Sequence, residues 1–250
     1  MKAVAIGLAL VLASGWAALA ETKVGSTVEN RLMAGFAVPA ENLAGLLPDG
    51  WAAMAMPQGP LAGSTLLVSF MEAVQASDAE GKFAPSAVNA RMALLALAVK
   101  EGEKPRLFIL RVYQPEGADD AYGVAQPAMV DRAMTRTTKA GSPVMVDDVW
   151  TVSAANGDTL EFRVGYAQGA GMWLPEQVAM PFSAKDPGFR RIYRYDQLID
   201  VVMLSAKGKM PAGGVTISAG GDTLGALLGD GVQPVAMMAI PVYRRDIFLP

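Results

Sequence analysis

The 250-residue chain contains no histidine and no cysteine. These absences exclude a Ser-His catalytic relay, a cysteine nucleophile, a zinc site of the usual ligands and a haem held by imidazole. Because no disulfide can form, the fold must depend on apolar burial. The available chemistry belongs to carboxylate, lysine, arginine, tyrosine and hydroxyl groups.

Charge is also scarce, at 18% of residues against 52% apolar. The 24 acidic and 21 basic residues give a net charge of −3. Mild acidity argues against nucleic acid and an anionic membrane surface as partners. The glycine-rich segment at 212–229 lacks the spacing of a phosphate-binding loop, so we expect no cofactor there or elsewhere.

The chain begins "MKAVAIGLALVLASGWAALAE". A cationic residue, an apolar run and a small-x-small ending predict a secretory signal over residues 1–20. The alternative, a membrane anchor, is disfavoured because the apolar run is shorter than a bilayer-spanning helix. We therefore expect a periplasmic or secreted protein with no membrane span after cleavage, and a single domain over residues 21–250.

Strand patterns recur from Val28 to the C-terminus, and helices are few and short. Asn156-Gly157 predicts a tight hairpin, and the unbroken apolar run at 92–99 predicts a strand covered on both faces. Short helices are predicted at 40–47 and at 223–229, the second capped by Asp222. This pattern predicts an all-β protein, a closed or doubly layered β-barrel.

Several ions lie inside apolar strands: Arg31, Glu72, Arg91 and Arg111. An unpaired buried charge is costly, so such ions form pairs, lie at a rim or face a cavity. Ordinary inter-strand ion pairs and a ligand site both remain open. The lysines, by contrast, all occur in contexts typical of wet turns or of the frayed start of the mature chain.

The order of parts resembles the acetoacetate decarboxylase superfamily. The likeness includes Asn30-Arg31, "LLPDGW", "LLVSFMEAV", Tyr122-Gly123, "FRRIYRYDQLIDVVMLSAKG" and the closing "GDTLGALLGDGVQPVAMMAIPVYRRDIFLP". The resemblance implies a β-barrel with a mostly apolar cavity for small keto acids and, in true decarboxylases, a Schiff-base lysine beside a second lysine.

Aligned from Gly123 without gaps, the family's lysine pair falls on Asp131-Arg132. The resemblance keeps Arg31 as the first-strand arginine and matches one active-site glutamate to Glu72. Arginine stays protonated and cannot replace the nucleophile, but it binds carboxylates through paired hydrogen bonds. Only one of Asp131 and Arg132 can face inward on a regular strand, so using both requires a bulge.

These observations predict an apolar, methionine-rich cavity that binds a small or medium apolar carboxylate or carbonyl compound without a Schiff base. Arg31 and Arg132 would anchor the anion, and Glu72 and Asp131 would orient them. One alternative is an enzyme in which Asp131 or Glu72 moves a proton beside a carbonyl while an arginine stabilises the enolate. Another is a structural or partner-binding envelope domain. Homo-oligomerisation remains open.

Overall fold

A computed structural model describes residues 21–229 and 231–250, so the predicted signal over residues 1–20 lies outside the described residues. The described chain is dominated by thirteen strands. They are β1 (Thr22–Phe36), β2 (Ala52–Ala53), β3 (Leu66–Ser77), β4 (Ala90–Val99), β5 (Arg106–Gln114), β6 (Ala125–Thr137), β7 (Met145–Ala154), β8 (Thr159–Ala167), β9 (Met172–Ala179), β10 (Phe182–Ser183), β11 (Ile192–Leu204), β12 (Val215–Gly220) and β13 (Pro234–Leu249).

The helices are single turns between strands. They are α1 (Ala40–Leu43), α2 (Ala226–Leu228), 3₁₀ turns at Ala44–Leu46, Pro85–Ala87 and Ser205–Lys207, and a π-helical turn at Gly221–Gly225 that leads into α2. Within the described residues, none of these helices has the length and apolar character required to span a bilayer.

The strands form one sheet in the order β12-β8-β7-β6-β5-β4-β3-β1-β13-β11-β9, with β10 beside β5 and β2 beside β4. Neighbours pair antiparallel except at β5–β6 and β5–β10. In the described chain β12 and β9 end the sheet without pairing to each other. The prediction of an all-β fold is confirmed. Of the two predicted forms, a closed or a doubly layered barrel, the closed one is not formed, because in the described chain the sheet keeps two free ends.

The sheet folds over on itself at β5–β6, where only three residue pairs are joined. Strands β6, β7, β8 and β12 form a second layer over the main layer. Aromatic contacts bridge them: Phe70 of β3 stacks on Trp150 of β7 at 5.3 Å and lies 5.1 Å from Phe162 of β8. We call the cluster between the layers the interlayer core; it includes Leu32, Phe70, Leu94, Trp150, Phe162 and Leu224.

The other face of the main layer carries a second apolar cluster, the outer core. It includes Leu61, Leu67, Leu95, Tyr122, Tyr193, Ile199, Met238, Ile240 and Tyr243. β4 contributes Leu94 to the interlayer core and Leu95 to the outer core. The prediction that this strand is covered on both faces is therefore confirmed.

Two turn predictions had different outcomes. The Asn156-Gly157 hairpin joins β7 to β8 as expected, with Gly157 at φ 90°. Asp222 is exposed and makes no capping hydrogen bond. The buried carboxylate of Asp158, from the hairpin, instead accepts from the backbone N–H groups of Thr223 and Leu224 at 2.9 and 3.2 Å.

Candidate functional site

Arg31 faces the outer core, on the side of the main layer away from the second layer. Alternation along β1 puts Thr27, Glu29 and Arg31 on one face. The Nε of Arg31 donates a 2.7 Å hydrogen bond to Glu29 Oε2. The Glu29 side chain has no exposed surface, and that of Arg31 is 9% exposed. Arg31 is therefore one half of a buried ion pair.

Two more arginines reach the same carboxylate. Arg245 of β13 donates from Nη2 to Glu29 Oε1 and from Nε to Thr27 Oγ1, both at 3.0 Å. Arg91 of β4 places its Nη2 3.5 Å from Glu29 Oε1. We call Glu29, Arg31, Arg91 and Arg245 the guanidinium cluster.

Strand register explains this convergence. Met71 of β3 lies opposite Arg31 on one side and opposite Arg91 on the other. Across the β1–β13 pair, Thr27 lies opposite Arg245. Residues opposite each other in a ladder project from the same face, so three neighbouring strand pairings bring four charges together.

The electrostatics keep Glu29 ionised. Burial alone would raise the pKa of Glu29, but the attraction of Arg245, Arg31 and Arg91 and a hydrogen bond from Thr27 outweigh it. The pKa lies well below the ordinary range as a result. Burial lowers the pKa of Arg91 despite the attraction of Glu29, and the positive charges of Arg245 and Arg31 lower it further.

Tyrosines form the apolar wall of the cluster. The Arg31 guanidinium lies 3.5 Å from the ring centre of Tyr243, and that of Arg245 lies 4.5 Å from the ring centre of Tyr193. Such stacking supports cations in sites with little water. The Tyr193 hydroxyl is 2.6 Å from that of Tyr122, which comes from the segment leading into β6.

Some guanidinium donors in the cluster have no acceptor. The Nη2 of Arg31 lies 2.6 Å from Glu29 Oε2, but its N–H bonds do not point at that oxygen, and it is buried without a hydrogen bond. The Nε of Arg91 is also buried without a partner. These N–H groups can donate to a carboxylate or carbonyl oxygen of a ligand without breaking a hydrogen bond within the protein.

Arg132 belongs to a different cluster. It donates from Nε and Nη2 to the two oxygens of Asp148, at 2.9 and 2.8 Å, and from Nη1 to Glu72 at 2.8 Å. Its guanidinium also lies 4.9 Å from the Trp150 ring centre. Because Glu72 is on β3 and Asp148 on β7, Arg132 links the two layers, and we call this trio the interlayer clamp.

The four residues predicted from the sequence therefore do not form one site. Arg132 and Glu72 form an ion pair between the layers. Arg31 lies on the opposite face of the main layer, as the alternation of side chains along β1 requires. Asp131 is exposed and borders a surface cleft of about 530 Å³. Since β6 runs without a bulge through Asp131 and Arg132 in its pairing with β7, only Arg132 points between the layers. The sequence left open which of the two residues faces inward, and the structure places Asp131 on the solvent side.

A second surface cleft, of about 460 Å³, lies over β6, β7 and β8 and is lined in part by Asp147 and Arg163. It does not include the guanidinium cluster. In the described chain, no group of three acidic side chains is placed to hold a metal.

Every lysine in the described chain is exposed. They are Lys23, Lys82, Lys100, Lys104, Lys139, Lys185, Lys207 and Lys209. A Schiff-base lysine needs burial or a neighbouring cation to lose its proton near neutral pH. The guanidinium cluster provides such surroundings, but no described lysine lies in them.

Sequence reasoning missed Glu29, Arg245 and Tyr243. Glu29 and Arg31 share a face of a predicted strand, and this i, i+2 spacing was the available signal for the first pair. Arg245 has no comparable local signal, because it reaches Glu29 only through the pairing of β13 with β1. That pairing joins the two ends of the described chain.

No family sequence model and no curated protein sequence matches the chain. Solved structures do match. The enduracididine biosynthesis enzyme MppR, complexed with pyruvate, superposes with a TM-score of 0.53 at 13% identity, covering 98% of this chain and 96% of that one. An acetoacetate decarboxylase-like enzyme from Sphingomonas wittichii RW1 gives 0.50 at 13% identity, with 92% of each chain covered.

These likenesses establish an acetoacetate decarboxylase-like fold, in agreement with the resemblance seen in the sequence. At such low identity they establish the fold alone.

Proposed function

We propose that the protein binds a small or medium apolar carboxylate or carbonyl compound at the guanidinium cluster, without a covalent lysine intermediate. One observation carries this proposal: buried donors of Arg31 and Arg91 lack acceptors beside a single carboxylate. Buried polar groups in native proteins are nearly always hydrogen-bonded, so unmatched donors in a cluster with three guanidiniums and one carboxylate support the binding of a ligand oxygen here.

The outer core supplies the apolar part of such a site. Met71 lies between Arg31 and Arg91 in the sheet and is 7% exposed. Tyr243 stacks under Arg31. A ligand with an anionic head and a short apolar body would place its head on the guanidiniums and its body against these side chains.

Arg132 fits this role less well, because Asp148 and Glu72 already engage all three of its nitrogens. A ligand would have to displace one of these carboxylates. We therefore assign Arg31, rather than Arg132, as the principal anion anchor of the proposed site.

A ligand panel tests the proposal. Purified protein is melted with keto acids, short fatty acids and terpenoid acids, since a ligand that binds only the folded state raises the melting temperature. Arg31→Gln should remove the shift. Arg163→Gln, which changes an exposed arginine paired with Asp147, should keep it. No shift with any compound would favour the structural or partner-binding alternative.

The covalent question has its own test. Borohydride with pyruvate or another keto acid should leave the intact mass unchanged, because the lysines of the described chain are exposed. A trapped adduct, located on one lysine by peptide mapping, would contradict the non-covalent proposal.

The enzymatic alternative depends on Glu72. Its side chain is 42% exposed and contacts Arg132, so it can exchange protons with water beside a cation. Turnover of a keto acid that is lost in Glu72→Gln would favour this alternative over binding alone. Asp131, on the solvent face, serves as the control through Asp131→Asn.

Export belongs to the proposal as well, and it is supported by the signal-like sequence of residues 1–20. Expression of the full-length chain in a bacterium with a periplasm should yield a mature product that begins at Glu21. A product that keeps Met1 and stays in the cytoplasm would contradict export.

A further inference from the structure

The guanidinium cluster has an unbalanced charge. In the described chain, the ion pairs formed by Arg31, Arg91 and Arg245 all go to one acceptor, Glu29. Three guanidiniums against one carboxylate leave an excess of two positive charges. Excess charge of one sign in a buried site is unfavourable unless a counter-ion is present.

The unmatched donors of the cluster lie on Arg31 and Arg91. Arg245 is already served by Thr27 and Glu29 and by the face of Tyr193. By contrast, buried nitrogens of both Arg31 and Arg91 have no acceptor, and their side chains are 9% and 19% exposed. The cluster that carries the excess positive charge therefore also holds unmatched donors, one on Arg31, which is itself paired with Glu29, and one on Arg91.

Arg31 and Arg91 reach Glu29 from opposite sides. Their strands are separated by β3, so their backbones stand about 10 Å apart at the usual strand spacing. Arg31 approaches Oε2 of Glu29, and Arg91 approaches Oε1. Both oxygens of one carboxylate are attached to the same carbon. A ligand with two carboxylates would match the excess of two positive charges and give Arg31 and Arg91 one acceptor group each.

We infer that the ligand of this site is a small dicarboxylate, with one carboxylate on Arg31, the other on Arg91, and its methylene chain against Met71. This inference rests on the proposed function and narrows its ligand class. It also distinguishes the site from one that takes simple monocarboxylic keto acids.

Isothermal titration of the purified protein with succinate and butyrate, at fixed ionic strength, tests the charge requirement. Both acids have four carbons, so they differ mainly in the second carboxylate. Succinate should bind at least tenfold more tightly than butyrate. A series from malonate to adipate should show a maximum at one chain length, because the two arginines are fixed on strands.

The matched variants locate the effect. Arg91→Gln should reduce the preference for succinate over butyrate to near unity. Arg163→Gln should leave both affinities unchanged. If Arg91→Gln does not fold, the wild-type comparison of the two acids still decides the question.

The possible results separate the two proposals. Butyrate or pyruvate binding as tightly as succinate would overturn the dicarboxylate inference and leave the proposed function standing. Failure of the whole series and of the monocarboxylate panel would overturn both. A succinate preference that survives Arg91→Gln would overturn the assignment of the second carboxylate to Arg91.

Discussion

Arg31 donates from Nε to Oε2 of Glu29 at 2.7 Å, and the two residues are two positions apart on one strand. Side chains at this spacing point the same way, so the pair is fixed by the backbone of β1. Glu29 has no exposed surface through which to reach water. The carboxylate is therefore held within ion-pair distance of the guanidiniums of Arg31, Arg91 and Arg245.

Glu29→Gln should strongly destabilise the protein. Removing one partner of a buried ion pair costs about 3–5 kcal/mol, because the remaining charges stay buried. For a domain of this size, that corresponds to a fall in melting temperature of roughly 6–20 °C. The measurement is thermal unfolding at pH 7. Glu161→Gln, at an exposed position of β8, is the control and should melt as the wild type does.

Stability should also depend on pH through Glu29. Its pKa is lowered in the folded state, so its contribution is complete above the unfolded value of about 4.3 and is lost as pH falls toward the folded value. The difference in unfolding free energy between wild type and Glu29→Gln should be constant from about pH 6 to 8 and shrink below about pH 5. A difference that grows on acidification would contradict this assignment.

The interlayer clamp predicts unequal effects for two carboxylates on the same arginine. The Asp148 side chain is 1% exposed, whereas that of Glu72 is 42% exposed. Asp148→Asn should lower the free energy of unfolding by about 3–5 kcal/mol, since it weakens a buried ion pair. Glu72→Gln should cost less than about 1 kcal/mol. Urea denaturation of both variants makes the comparison, and equal losses would show that solvent does not screen Glu72.

Asp158 should control the turn at 221–228. Its carboxylate accepts from Tyr113 Oη at 2.6 Å as well as from two backbone N–H groups of the turn. Asp158→Asn should lower the free energy of unfolding by about 1.5–3 kcal/mol, because a charged acceptor becomes neutral. It should also speed amide hydrogen exchange in the turn. The control is Asp222→Asn, which changes the exposed acid that the sequence predicted to be the cap. It should change neither the free energy of unfolding nor the amide exchange in the turn. Slow exchange in Asp158→Asn would contradict the role.

Gly165 should be intolerant of a side chain for lack of space. A Cβ there would lie 2.8 Å from the Cα of Gly213, in a contact also held by the hydrogen bond from Gly213 N–H to Gly165 C=O. Gly165→Ala should lower the free energy of unfolding by about 1–3 kcal/mol, because the added methyl group overpacks this contact. Gly45→Ala, where nothing lies within 4 Å, should be neutral or slightly stabilising. Chemical denaturation compares the two variants.

Local signals predicted most of the strands. Strand β11 (Ile192–Leu204) continues through the polar residues Asp196 and Gln197, because both pair with β13 in the ladder. The absence of sheet closure was not predictable from periodicity. Closure depends on where β9 and β12 finish in space, and alternation along a strand carries no such information.

The candidate site was predictable only in part. Arg31 and Arg91 stood out as ions in apolar strands, and the structure brings both to Glu29. Arg132 stood out through its place in the resemblance, and the structure puts it in the interlayer clamp. The difference between them is the sheet face on which each arginine lies. Long-range register sets that face, and the sequence reveals it only when both partner strands are known.

The pairing of β1 with β13 has a consequence for synthesis of the chain. Thr22 pairs with Leu249 and Phe36 with Pro234, so one edge of β1 stays open until residues 234–249 leave the ribosome. At ordinary elongation rates this lasts roughly 10–40 s. An open edge is a template for aggregation, and inward-pointing charges oppose that pairing. Glu29 and Arg31 are charges of this kind, and they are present on β1 before Arg245 is synthesised.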